Sequence, residues 1–279
     1  MLNSDAIATK KTIVQKGEVS HYDIKSFKNI KAGFLLFDTQ FSWKNDFWKQ
    51  LGRRIIKTTT GDNIEHIAIV IKVPPEFIGM QYEDRYNGRD VIDKGYVLFE
   101  ATKHYDSIAT SLTKRMLRPS LSDLDEKGDS EWTGNVLLQP IISNKITDEA
   151  WSLAFQSMLD LTNRKPWING CKSEYSLFRA ELSPFGFAKS LNKLLGYEEL
   201  TPSVFCSVQA RYCAEILTGQ IPSPEEFNLL EGLGTNPKDE SRRCMSKGLS
   251  KVPVVFAKYE NGVAVAINED YVIANPYYK

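Results

Sequence analysis

The chain has 279 residues, of which 42% are hydrophobic and 25% are charged, the composition of an ordinary globular protein. Its 35 basic and 35 acidic residues cancel, which argues against bulk binding to nucleic acid or to an anionic membrane. The sequence has no bilayer-spanning apolar run, and its first twenty residues lack the apolar core of a secretory signal. Four cysteines without a CxxC pair and only three histidines disfavour a zinc site. We therefore expect a cytoplasmic protein with reduced thiols and neither metal nor cofactor.

Short apolar runs predict the strands of a sheet. The predicted strands cover 33–38, 66–73, 95–101 and 135–142. The Asn261-Gly262 pair, which suits a type I′ turn, predicts a hairpin within 251–268. We find no repeat and no clear linker, so residues 31–279 are expected to form a single α+β domain.

Several stretches outside the predicted strands have helical spacing. A capping sequence at Thr147 predicts a helix over 147–161. Its expected inner face consists of Trp151, Ala154, Phe155, Met158 and Leu159. Helical spacing also runs over 174–195, where Pro184 and Gly186 interrupt it.

Three polar segments are expected to lie outside the regular elements. Residues 1–30 are weakly patterned and read as a flexible or peripheral arm. Residues 76–94 separate two predicted strands, which suggests a mobile flap over a site. Residues 118–134 are charged and typical of a loop.

The stretch 201–219 predicts one short helix with a cysteine in its first turn. Thr201 or Ser203 could cap the first free N–H groups, and Gly219 suits the stop. Backbone N–H groups and the helix dipole at that position favour a thiolate, so Cys206 is a candidate nucleophile. A lone cysteine on an apolar stripe is, however, most often a small buried hydrophobic residue.

A base and an acid are predicted at the ends of two neighbouring strands. His66 begins one predicted strand and Glu100 lies near the end of the next. If the strands pair antiparallel, the two side chains come within reach on one face. A cysteine nucleophile needs a base, and the base needs a group that orients it. Cys206, His66 and Glu100 supply a nucleophile, a base and an orienting group, respectively.

The other candidates have weaker sequence contexts. His21 and His104 lie in polar stretches without a suitably placed acid. Cys213 is two turns deeper in the helix and reads as a core thiol, whereas Cys171 and Cys244 lie in loop-like stretches. The aromatic residues of 41–56 are more typical of an amphipathic core helix than of a ligand platform.

These motifs together resemble the circularly permuted papain-like enzymes of the NlpC superfamily, the YiiX/YebB type. The matching segments are 33–37, 65–70, 97–101, 205–208 and 214–215. Ordinary papain-like chains carry their cysteine first, whereas the permuted members carry it last, as here. The resemblance implies a permuted papain-like fold with Cys206 as nucleophile, His66 as base and Glu100 as orienting group. Large DNA viruses also carry such enzymes, which leaves a viral source open.

The resemblance implies a thiol hydrolase or amidase that works through an acyl thioester. Its substrate would be a peptide, an isopeptide, an acyl amide or a lipid ester, and no nucleic-acid partner is expected. Two alternatives remain at this point. One is a lipid acyltransferase or phospholipase of the lecithin:retinol acyltransferase-like type. The other is a non-catalytic papain-like scaffold that binds a partner through Phe41, Trp43 and Trp48.

Overall fold

A computed structural model gives the fold of most of the predicted domain. It describes residues 30–39, 64–82, 90–93, 95–102, 106–117, 132–163, 165, 174–175, 203–204, 206–221, 237–260 and 263–267. The predicted arm over 1–30, apart from Ile30, lies outside this part of the chain, as do His21, His104, Cys171, the aromatic residues of 41–56 and the body of 118–134.

The described residues form a mixed α+β structure around an antiparallel sheet. Its strands are β1 (Ala32–Thr39), β2 (Ile64–Lys72), β3 (Tyr96–Thr102), β4 (Asp106–Thr110), β5 (Gly134–Pro140), β8 (Val254–Glu260) and β9 (Val263–Ile267). Their order is β4-β3-β2-β1-β5-β8-β9, and each neighbouring pair is antiparallel. A separate parallel pair joins β6 (Glu174–Tyr175) to β7 (Ser203–Val204).

Four α-helices and two short 3-10 turns accompany the sheet in the described ranges. The helices are α1 (Leu112–Leu117), α2 (Asp148–Thr162), α3 (Cys206–Leu217) and α4 (Pro237–Ser246). The 3-10 turns are Pro75–Phe77 and Ser143–Lys145. No helix in the part of the chain that the structure describes is long and apolar enough to cross a membrane.

The central strands are buried on both faces, which explains their nearly continuous apolar sequences. Alternate residues of β1 point to opposite faces, so Phe34 and Leu36 join one cluster while Leu35 and Phe37 join the other. The first cluster contains the inner faces of α2 and α3. The second contains Leu112 and Met116 of α1, so α1 packs on the opposite face of the sheet.

The predicted cap at the start of α2 and the predicted stop at the end of α3 are both present. The Thr147 side chain accepts a hydrogen bond from the backbone N–H of Ala150, and the five predicted inner residues of α2 are buried. At the end of α3, Gly219 adopts a φ of 77°. The N–H groups of Gly219 and Gln220 donate to the carbonyls of Ile216 and Glu215, the pattern that closes a Schellman motif.

Several predicted boundaries and elements are wrong. Ser203 lies in β7 and α3 begins at Cys206, so Ser203 is not adjacent to the first helical turn. Glu174 is in a strand rather than at the start of a helix, because it pairs with Ser203. Cys244 lies in α4 and is fully buried, not in a loop. No strand or helix was predicted over 106–117, where β4 and α1 form.

The described ends of the predicted flap lie far from the predicted site. The segment connects the end of β2 to the start of β3, and the N–H of Val73 donates to the carbonyl of Gly95. His66 and Glu100 lie toward the other ends of these strands, six residues from Lys72 and four from Tyr96, or about 20 and 13 Å at 3.3 Å per residue. Phe77 and Tyr82 instead stack on Phe155 of α2, with ring centroids 5.0 and 5.9 Å away. In the described part of the segment Val91 is buried and Phe77, Tyr82 and Ile92 pack against the first cluster, whereas Ile78 and Met80 are exposed. Residues 83–89 and 94 lie outside the described ranges.

Candidate active site

The site lies where β2 and β3 separate. Their pairing runs from Lys72↔Tyr96 to Ile69↔Phe99, although β2 begins at Ile64 and β3 continues to Thr102. Continuing the register would place Glu100 beside Ala68, so Glu100 and His66 are diagonal rather than directly opposite. Both residues are buried, at 1% and 3% exposure.

The contact between His66 and Glu100 that the sequence predicted is present. Nε2 of His66 lies 2.9 Å from Oε2 of Glu100. The Phe37 ring packs against the imidazole with centroids 5.5 Å apart, which restricts its rotation. Because Nε2 is engaged by the carboxylate, Nδ1 is the nitrogen that remains for a second partner.

That second partner is Cys206, the first residue of α3. Its sulfur forms a hydrogen bond with His66 and accepts hydrogen bonds from the backbone N–H groups of Ile67 and Ser207. The odd-numbered residues of β2 direct their N–H groups toward β3, as Val73 does toward Gly95. Since the β2–β3 pairing stops at Ile69, the N–H of Ile67 is directed into the gap that receives the sulfur. Cys206 remains half-buried, whereas the thiols of Cys213 and Cys244 are fully buried.

The local electrostatics favour a thiolate and an imidazolium. Burial by itself raises the pKa of Cys206, but the charge and hydrogen bond of His66 and the two backbone N–H groups outweigh it and lower that pKa. Burial disfavours the charged form of His66, yet the thiolate and Glu100 raise its pKa from 6.5 to about 9.

The other cysteines have the opposite electrostatics. Burial, with a smaller contribution from Cys244, raises the pKa of Cys213. Burial and the neighbouring Glu240 raise the pKa of Cys244. Both thiols stay protonated at neutral pH, which agrees with the predicted core role of Cys213 and separates Cys206 from the remaining described cysteines.

Arg115 of α1 is a fourth member of the site that the sequence reading missed. Its Nε donates to Oε2 of Glu100 at 3.0 Å, and its guanidinium lies 4.3 Å from the centroid of the Phe37 ring. Burial alone would raise the pKa of Glu100, but the charge of Arg115 and then the contacts of His66 lower it from 4.5 to about 2. In the sequence, Arg115 is only a basic residue between the apolar Leu112 and Met116. That local pattern does not identify Glu100 as its partner.

The arrangement can perform nucleophilic chemistry on an electrophilic carbon. The half-buried Cys206 is the end of a hydrogen-bonded series in which each member orients the next. No group of three or more potential metal ligands occurs within the described ranges. Comparisons with models of protein families, with curated proteins and with solved structures found no match to this chain.

Proposed function

We propose that this protein is a cysteine hydrolase that cleaves an amide or ester bond through an acyl-thioester intermediate. The observation that carries the proposal is the contact series from Cys206 to His66 to Glu100, with a lowered pKa at the sulfur. In it, Cys206 is the nucleophile, His66 the acid and base, and Glu100 the group that orients His66. We also propose a permuted papain-like fold, since a helix carrying the cysteine packs on a sheet that carries the base.

In the acylation step the Cys206 thiolate attacks the carbonyl carbon of the substrate. The C=O electrons move to oxygen, and the backbone N–H of Cys206, the first residue of α3, donates to the resulting oxyanion. When the tetrahedral intermediate collapses, the bond to the amine or alcohol breaks and the leaving group takes the proton from Nδ1 of His66. His66 is then neutral and Cys206 carries the acyl group.

In the deacylation step a water molecule enters beside the thioester. Nδ1 of His66 takes one proton from the water molecule, and the oxygen of that water forms a bond to the acyl carbon. The C–S bond then breaks, the carboxylic acid leaves, and the thiolate–imidazolium pair is restored. A thiol that must stay reduced fits a cytoplasmic location for this chemistry.

Selective alkylation of Cys206 tests the proposal without knowledge of the natural substrate. Iodoacetamide at about pH 6 should label Cys206 in the native protein, because only a thiolate reacts quickly there. Peptide mapping by mass spectrometry resolves the sites, and the buried thiols of Cys213 and Cys244 are internal controls. His66→Ala should abolish the selectivity while the other thiols keep their slow rates.

A turnover assay completes the test. An ester such as p-nitrophenyl acetate should give an acetyl adduct on Cys206 and multiple turnovers, and Cys206→Ala should remove both. Cys213→Ala is the matched control, since it deletes a sulfur from the same helix without touching the site. Equal turnover by Cys206→Ala and the native protein would refute the mechanism.

A further inference from the structure

Arg115 contacts the same carboxylate oxygen that His66 contacts. Nε of Arg115 and Nε2 of His66 both lie near Oε2 of Glu100, at 3.0 and 2.9 Å. Oε1 of Glu100 is buried and has no hydrogen-bond partner in the described part of the site. Within the described ranges, His66 from β2 and Arg115 from α1 contact this carboxylate, and Cys206 from α3 contacts His66 in turn.

In half of the proposed reaction cycle, the negative charge of Glu100 is compensated by fewer cations than in the free enzyme. While Cys206 carries the acyl group, His66 is neutral, so one of the two cations beside the buried carboxylate is lost. A buried carboxylate without a cation takes up a proton. A protonated Glu100 could donate to Nε2 of His66, and the ring proton would then sit on Nδ1. In that tautomer Nδ1 cannot accept a proton from water.

We propose that Arg115 is a positioning residue that keeps Glu100 ionised in the acyl-enzyme and thereby holds His66 in the tautomer needed for deacylation. This inference rests on the proposed function. A guanidinium keeps its charge throughout the working pH range, so it compensates Glu100 whatever the state of His66. Of the interactions that lower the pKa of Glu100, the charge of Arg115 is the largest.

The placement of Arg115 is fixed from several sides. Its side chain is only 5% exposed, and the flanking Leu112 and Met116 are fully buried. The hydroxyl of Tyr259 donates to the carbonyl of Met116 at 2.5 Å, which ties α1 to β8. The Phe37 ring contacts both the guanidinium of Arg115 and the imidazole of His66. Since both of these groups also contact Glu100, the four side chains form a closed cycle of contacts.

Pre-steady-state kinetics with p-nitrophenyl acetate separate the two half-reactions. The initial burst of p-nitrophenolate reports acylation, and the steady-state rate reports deacylation. We expect Arg115→Gln to keep the burst rate within about threefold and to slow the steady state by roughly tenfold or more, because a base in the wrong tautomer is ineffective. Arg115→Lys, which keeps the charge, should recover part of the steady-state rate.

The matched control is Arg243→Gln in α4. It removes another ion-paired arginine, whose Nη2 lies 2.6 Å from Oε1 of Glu240, and it should change neither phase. A structural readout that does not need turnover is the ¹⁵N spectrum of the His66 ring in a Cys206→Ala background at neutral pH. With Arg115 the neutral ring should carry its proton on Nε2, whereas Arg115→Gln should increase the Nδ1–H form.

The outcomes distinguish this inference from the proposed function. If the native protein forms no acyl adduct on Cys206, the proposed function fails and this inference fails with it. If the adduct forms but Arg115→Gln slows both phases equally or neither, the proposed function stands and Arg115 has only a structural role. Unchanged ¹⁵N tautomer populations in a folded Arg115→Gln variant would also overturn the inference. If Arg115→Gln does not fold, Arg115→Lys gives the same comparison on a smaller scale.

Discussion

Replacing Glu100 by glutamine should weaken the thiolate–imidazolium pair without removing any of its members. Glutamine keeps the size of the side chain and one acceptor oxygen, but it removes the negative charge 2.9 Å from Nε2 of His66. An opposite charge at such a distance shifts a pKa by about 1–3 units, which is about 1.4–4 kcal/mol. Neither side chain is more than 3% exposed, so solvent screening does not reduce this effect.

The sign of the change follows from the two pKa shifts. In the native protein Glu100 helps to raise the pKa of His66 to about 9, and the imidazolium in turn lowers the pKa of Cys206. Without the carboxylate the equilibrium moves from thiolate–imidazolium toward thiol–imidazole. The rate of Cys206 alkylation at about pH 6 should therefore fall at least tenfold, since one pKa unit is a factor of ten. The two rates should converge at alkaline pH, above the native pKa of His66.

The assay is the pH dependence of iodoacetamide alkylation at Cys206, followed by peptide mapping. Glu260→Gln is the matched control, because Glu260 is 53% exposed, pairs only with Lys258 in the described ion pairs, and should leave the curve unchanged. Superimposable curves for Glu100→Gln and the native protein would mean that the carboxylate does not support the charge of His66. The role assigned to Glu100 would then have to be abandoned.

Three further predictions concern stability, each measured as the free energy of unfolding in urea. Gly134→Ala should cost about 1–3 kcal/mol, because a Cβ there would lie 2.3 Å from the carbonyl oxygen of Asp38; an unchanged midpoint would contradict that packing. Thr147→Ala should cost about 1 kcal/mol through the lost cap of α2, and Thr147→Ser should restore most of it. Deleting 76–94 should lower stability with little effect on Cys206 alkylation, since Phe77 packs on Phe155; a change in alkylation with unchanged stability would instead support a flap.

Local sequence was sufficient for the elements whose signals lie within one segment. Continuous apolar runs predicted the core strands, because a sheet buried on both faces needs apolar residues on both. The cap at Thr147 and the stop at Gly219 were readable because each depends on a few neighbouring backbone groups. The hairpin near the end of the chain was readable for the same reason, and its strands do pair antiparallel.

The contact between His66 and Glu100 was predictable because it needs only two facts that a sequence can suggest. Consecutive strands often pair antiparallel, and residues near matching ends then share a face. The detailed register was not predictable, since the pairing of β2 with β3 stops at Ile69↔Phe99 and leaves the two residues diagonal. That early stop opens the gap for Cys206, and it is a property of the assembled sheet.

Tertiary structure alone decided the partners that come from distant segments. Arg115 reaches Glu100 because α1 folds over the second face of the sheet, and nothing in the local pattern of 112–117 specifies that direction. Cys244 is buried because α4 packs on α3, although most of the residues around it in sequence are polar. The predicted flap lies at the far end of β2 and β3 because strand direction, rather than polarity, fixes the end at which a connection emerges. Periodicity is encoded by neighbouring residues, whereas these contacts depend on sheet order and register, which only the folded chain determines.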